Sequence, residues 1–199
     1  MADIIVAGNT SGAITISAPL VAGSGVLTLP TGTDTLIGKA TTDTLTNKSI
    51  AASQLTGTIA ASALPAGSVL QVVQGSYSTT VTTAASSYID SGLTASITPT
   101  RNTSKILVLV SQNGVAANTS TAGVNIQLLR GASVVSIFAI AHAYAISTNN
   151  QGTPFNYLDS PATTSSTTYK TQFKNYGVGN AYVQGNSDVS TITLMEIAV

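Results

Sequence analysis

From residue 69 onward, apolar and polar positions alternate with a period of two, interrupted by short runs of Gly, Pro, Asn and Ser. Successive side chains of a strand point to opposite faces, so this pattern predicts half-buried β-strands. The predicted strands are VLQVVQ (69–74), SYSTTVTT (76–83), SYIDSGLTASITPT (87–100) and SKILVLVSQ (104–112). They continue with VNIQLLRGASVVS (124–136), IFAIAHAYAIS (137–147), TTYKTQFKNYG (167–177), AYVQG (181–185) and STITLMEIAV (190–199). The 87–100 segment carries a turn at its glycine and ends at Pro99, and 124–136 reads as a hairpin turning at Arg130-Gly131. Ile106 to Val110 is continuously apolar, which predicts a strand buried on both faces. Roughly eight to ten such strands indicate an antiparallel sandwich or jelly roll.

Two of these strands have unequal faces. In 137–147, Phe138, Ile140, His142, Tyr144 and Ile146 share one face, opposite Ala139, Ala141, Ala143 and Ala145. An alanine face lets another surface approach closely, either a neighbouring subunit or the facing sheet. In 167–177, Tyr169, Thr171 and Phe173 oppose Lys170, Gln172 and Lys174. QGTPFNY (151–157) and NYGVGNAY (175–182) read as loops carrying Tyr157, Tyr176 and Tyr182. Tyrosines and hydroxyls on loops suit contact with sugars or surface polymers; tyrosines rimming the core are the other reading.

The pattern before residue 68 is different. Strand signals occur at GAITIS (12–17) and GVLTLP (25–30), which together suggest a small two-stranded unit. A nine-residue period then runs through DTLIGKATT, DTLTNKSIA, ASQLTGTIA and ASALPAGSV. Leu36, Leu45, Ile50, Leu55, Ile59 and Leu64 are its apolar positions, and Asp34, Lys39, Asp43 and Lys48 its charges. Within each charged block the Asp and Lys are five apart, so neither a helix nor a flat strand pairs them within the chain. Pairing across a turn or between neighbouring copies remains, with register as its use; charges that merely solvate an exposed segment are the other reading. Short repeats of this kind cannot bury an apolar face alone. No aromatic residue precedes Tyr77, so this half lacks the bulkiest contributors to buried area. The division expected is an attachment segment at 1–32, a repeat-like stalk at 33–67 and a β-sandwich domain at 68–199.

Composition sharpens the picture. Only 7% of the 199 residues are charged and the formal net charge is zero, while Ser and Thr make up more than a quarter of the chain. Hydroxyls rather than charges keep the surface wet. Neutrality argues against nucleic acid as a partner and favours association. No run of about 18 apolar residues suggests a membrane span, and MADIIVAGNTSG lacks a signal-peptide layout. With no cysteine, one histidine, scattered acids and no phosphate-binding glycine loop, no catalytic, metal or cofactor site is expected.

The run TGTDTLIGKATTDTLTNKSI, then LTGTIAASALPAGSVLQVVQ, resembles segments of tail fibres and related virion proteins of tailed bacteriophages. SYIDSGLTASITPTRNTSKILVLVSQ, YLDSPATTSSTTYKTQFKN and the final STITLMEIAV resemble their terminal β-domains, so the resemblance runs from about residue 12 to the end. It implies an all-β homotrimer with an extended, interwoven stalk and a jelly-roll-like tip. The chain would be a virion component made in the host cytoplasm. Another virion protein would hold its N-terminal segment, and a host surface glycan would meet its tip. Many such fibres are several times longer, which makes this a short fibre or an appendage; a capsid decoration or head-fibre protein is the alternative role.

Overall fold

The computed structural model describes residues 59–139 and 151–199, residues 49, 51, 53, 56 and 57, and the backbone of two strands near the start. The chain divides into two units, Met1–Thr56 and Gly57–Val199. In the first unit, β1 (Ile4–Ala7) pairs antiparallel with β2 (Ala13–Ile16). β2 is the predicted GAITIS strand; its partner is the IIVA run, while GVLTLP lies outside the described residues.

The second unit opens with a 3-10 turn at Ala61–Ala63. Among the described residues ten strands follow: β3 (Val69–Tyr77), β4 (Val81–Thr83), β5 (Ile89–Ile97), β6 (Lys105–Ala117) and β7 (Ala122–Arg130). The remainder are β8 (Ser133–Ala139), β9 (Gln151–Asp159), β10 (Thr167–Gly177), β11 (Ala181–Val183) and β12 (Ser190–Ile197). One sheet, called sheet I, has the order β5-β10-β7-β8. In the other, sheet II, β12 and β11 lie end to end along β6, while β3 and β4 lie end to end along them. β9 pairs with β6 on its other edge. Counting each interrupted pair as one strand, sheet II reads β3/β4, β12/β11, β6, β9. Eight antiparallel strands in two four-stranded sheets with this order form a jelly roll.

Alternation builds the core. Leu93, Ala95 and Ile97 of β5, Ile106, Val108 and Val110 of β6, Leu128 and Tyr169 from sheet I, and Ile192 and Leu194 of β12 form its main cluster. A second cluster gathers Val115, Val124, Ile126, Phe173, Ala181 and Val183, and Phe138 packs against both. Phe138 of β8 stacks on Phe155 of β9 with centroids 4.5 Å apart, joining the edge strands of the two sheets.

Two expectations change. The glycine in 87–100 is not a turn: β5 runs unbroken, and Gly92 (φ +86) forms a bulge between the Lys170 and Gln172 pairings. A Cβ there would lie 2.2 Å from the Tyr77 ring, so only glycine fits. Residues 151–157 are not a loop but the body of β9. It pairs with β6 alone among the described residues, and an edge strand tolerates the missing N–H of Pro154. Strand 137–147 is described only to Ala139, so His142, Ala141, Ala143 and Ala145 lie outside the described residues.

Polar groups also hold the sandwich. Buried Asp159 accepts from Arg130 Nη1 at 3.0 and 2.8 Å and from the Tyr169 hydroxyl at 2.7 Å, tying β9 of sheet II to β7 and β10 of sheet I. Burial and the adjacent carboxylate push the Tyr169 hydroxyl far above its ordinary pKa. Fully buried Glu196 accepts from Gln71 Nε2 at 2.6 Å and from the Thr100 N–H and hydroxyl at 2.7 and 2.8 Å. Burial alone would raise the Glu196 carboxyl, but these donors outweigh it and hold the group below its ordinary value.

Removing the carboxylate in Asp159→Ala strands Arg130 and Tyr169, and denaturant unfolding should show a loss of about 3 kcal/mol. In Glu196→Gln an amide N–H₂ faces donors that a carboxylate accepted, for a loss of about 1–3 kcal/mol at neutral pH. Since the folded pKa is lowered, the Glu196 contribution is complete above its ordinary value of 4.5 and fades as pH falls through the folded value. Stability curves of parent and Glu196→Gln should therefore converge in acid; a constant gap would contradict this.

Candidate functional site

The outer faces of the two sheets differ in chemistry. On sheet I, Lys170 Nζ lies 2.8 Å from Asp90 Oδ1, and Gln172 Nε2 donates to the same carboxylate at 2.8 Å. Gln127 Nε2 extends the row to Gln172 Oε1 at 2.9 Å, and Ser96 meets Thr168 at 2.7 Å. Asp90 is held below its ordinary pKa by the Lys170 hydrogen bond and ion pair. Over β5, β10 and β7 this is a hydrogen-bonded face suited to water, while on the edge strand β8 Val134 and Ile137 are exposed.

Sheet II presents the opposite. The register sets Val72 beside Met195, Met195 beside Leu107 and Leu107 beside Leu158, an apolar row crossing all four strands. Val72 is 55% exposed and Leu158 51%, and on the next outward position of β6 Leu109 is 39% exposed. The run Ile106 to Val110 is thus buried on one face only, contrary to the expectation from its unbroken apolarity. Ile106, Val108 and Val110 fill the core while Leu107 and Leu109 face outward. Val69 and Leu70 bring the chain into this face from the 3-10 turn, with Gly67 N–H donating to Ala198 O at 2.8 Å.

Of the predicted stalk residues, Ile59 is 58% exposed and Leu64 half-buried. Asp34, Leu36, Lys39, Asp43, Leu45, Lys48, Ile50 and Leu55 lie outside the described residues. The three tyrosines part company. Tyr157 sits on β9, half-buried against the core and 6.5 Å from the Phe155 ring, so it is a core-rim residue rather than a loop contact. Tyr176, 60% exposed, closes β10 opposite Gly123. Tyr182 stands on β11 between Thr82 and Ala116, and lines a cavity of about 430 Å³ together with Thr80, Asn118, Gly185 and Asn186. Nothing in the sequence points to that cavity, because its walls come from three separate segments, at 80, 116–118 and 182–186.

No family model and no curated protein matches the chain. Among solved structures it is similar to infectious bursal disease virus Gt strain, with 11% identity, TM-score 0.41, and coverage of 67% of this chain and 39% of that one. The structure of the Gx strain gives 14% identity, TM-score 0.41, and coverage of 64% and 32%. The VP2 subviral particle of the same virus gives 12% identity, TM-score 0.41, and coverage of 64% and 32%. The chain spans between 32% and 39% of the length of these proteins. At such values the likeness carries no argument about function.

Proposed function

We propose that this chain is a non-enzymatic virion structural protein that works as an assembly of its own copies: a short homotrimeric fibre. Residues 1–32 attach it to another virion protein, 33–67 wind around sister copies as a stalk, and 68–199 form the tip that meets the host surface. The reading is carried by the apolar row Val72, Met195, Leu107 and Leu158 across the outer face of sheet II, in which Val72 and Leu158 are exposed and Met195 and Leu107 half-buried. Monomeric proteins rarely leave a contiguous apolar patch of this kind in water. A second copy of the chain is its occupant, since a neutral protein meets little electrostatic resistance to self-association. The polar face of sheet I then points outward. The nine-residue period and the resemblance to tail-fibre segments support the same arrangement.

Multi-angle light scattering of the full chain should give the mass of three copies; a monomer at micromolar concentration would contradict the reading. Val72→Lys combined with Leu158→Lys places charge in the row at exposed positions, where folding is little affected. The variant should keep its β-sheet circular dichroism and shift to lower mass, while Thr94→Lys on sheet I leaves the mass unchanged. Labelled protein imaged on intact particles separates a tail fibre from a capsid decoration protein.

A further inference from the structure

The Tyr182 cavity is built with care. It opens where sheet II is interrupted, beside the turn Gln184–Ser187, in which Gln184, Asn186 and Ser187 all hold positive φ (53, 56 and 62). Non-glycine residues seldom adopt this conformation, and they persist there only where surrounding structure imposes it. Here the support is plain. A Cβ on Gly114 of β6 would lie 2.2 Å from Gly185 N, so the turn seats directly on that glycine. Thr80 clamps it from the other side, its hydroxyl donating to Gln184 O at 2.7 Å.

Beneath the turn a buried polar chain crosses the sandwich. The Ser91 and Thr171 hydroxyls lie 2.5 Å apart, Thr171 donates to Gln112 Oε1 at 2.8 Å, and Gln112 Nε2 donates to Ser190 Oγ at 3.2 Å. With its amide turned to satisfy both ends, Gln184 donates to Ser91 O at 3.3 Å and Val183 O at 3.1 Å, and accepts from Gln112 Nε2 at 2.5 Å. Side chains from β5, β6, β10 and β12 thus fix the left-handed turn.

What the turn presents is unspent. Asn118 Oδ1 accepts the Asn180 N–H at 2.7 Å, which fixes the side chain while its Nδ2 makes no hydrogen bond among the described residues. The Asn186 amide and the Tyr182 hydroxyl likewise make none there. Ala116, Ala117 and Gly185 are the small residues of the lining, and none of the described residues lining the cavity is charged. At about 430 Å³ the cavity lies in the ~300–1,000 Å³ range of small-molecule sites.

We propose that this cavity binds a neutral sugar, with the apolar face of one ring on Tyr182 and its hydroxyls held by the Asn118 and Asn186 amides. A phenol face beside two amides, that of Asn118 held in place, matches the alternating C–H and O–H surfaces of a pyranose, and the uncharged lining disfavours phosphates and acidic sugars. The inference deepens the reading of 68–199 as the surface-contacting tip and rests on it for its biological meaning.

The test titrates the full chain with lactose, maltose and diacetylchitobiose as neutral probes and sialyllactose as the acidic control, by calorimetry and saturation-transfer NMR. At least one neutral disaccharide should bind saturably. Tyr182→Ala and Asn186→Gly should each weaken it about tenfold or more, and Tyr176→Ala should not. Glycine adopts the φ of residue 186 without strain, so Asn186→Gly folds as well as its parent and separates lost binding from lost structure. No binding of any neutral probe, binding of the acidic probe alone, or binding indifferent to Tyr182→Ala and Asn186→Gly would overturn the proposal. Light scattering on the same samples keeps the two readings apart: a trimer that binds no neutral sugar removes the cavity proposal alone.

Discussion

A β-strand has only two faces, so an unbroken apolar run such as Ile106 to Val110 must either be buried on both or leave one in contact with water. In this chain the core takes Ile106, Val108 and Val110, and nothing among the described residues covers Leu107 and Leu109. Pairing aligns Leu107 with Met195, Val72 and Leu158 from three other strands, so the uncovered matter is a row across sheet II, with Leu109 beside it between Thr193 and Asn156. The hydrophobic effect scales with contiguous area removed from water, which makes such a band a strong motive for association. The opposite outer face carries the polar row of Asp90, Lys170, Gln172 and Gln127, and its exposed apolar residues, Val134 and Ile137, are confined to the edge strand β8.

The inside of the sandwich shows how a chain with so little charge uses it. Arg130, Asp159 and Glu196 are three of only fourteen charged residues, and all three anchor strands to elements distant in sequence. Asp159 links the two sheets; Glu196 holds β3 and the loop after β5 to β12. The Ser91–Thr171–Gln112–Gln184 chain does the same with neutral groups and shapes the turn beside Tyr182. Hydroxyls and amides that elsewhere wet the surface here set geometry.

Much of the fold was legible in the sequence, for a physical reason. Period-two alternation is local, so β5, β10 and β12 declare themselves, and Arg130-Gly131 marks its hairpin. β9 did not, because Gly152, Pro154 and Asn156 look like turn residues and only an edge position makes them acceptable in a strand. Gly92 looked like a turn because a bulge needs the same residue. The partners of Asp159, Glu196 and Gln112 could not be read, since contacts between residues far apart in sequence leave no local trace. The sequence set Tyr182 both in the AYVQG strand, which is β11, and at the end of a loop, but could not show that its neighbours on β4 and β6 make it part of a cavity wall. The charged repeat from Asp34 to Lys48 lies outside the described residues, and the stalk remains a proposal carried by its period.

The chain contains no cysteine, so a single one can be placed on either face without interference. Maleimide labelling rates of Leu158→Cys and Thr94→Cys in the native protein compare the two outer faces directly. Covered by sister copies, the Leu158→Cys thiol reacts far more slowly than the one at 94, and the difference vanishes in denaturant. Equal, rapid labelling of both in the folded protein would mean that the apolar band faces open water.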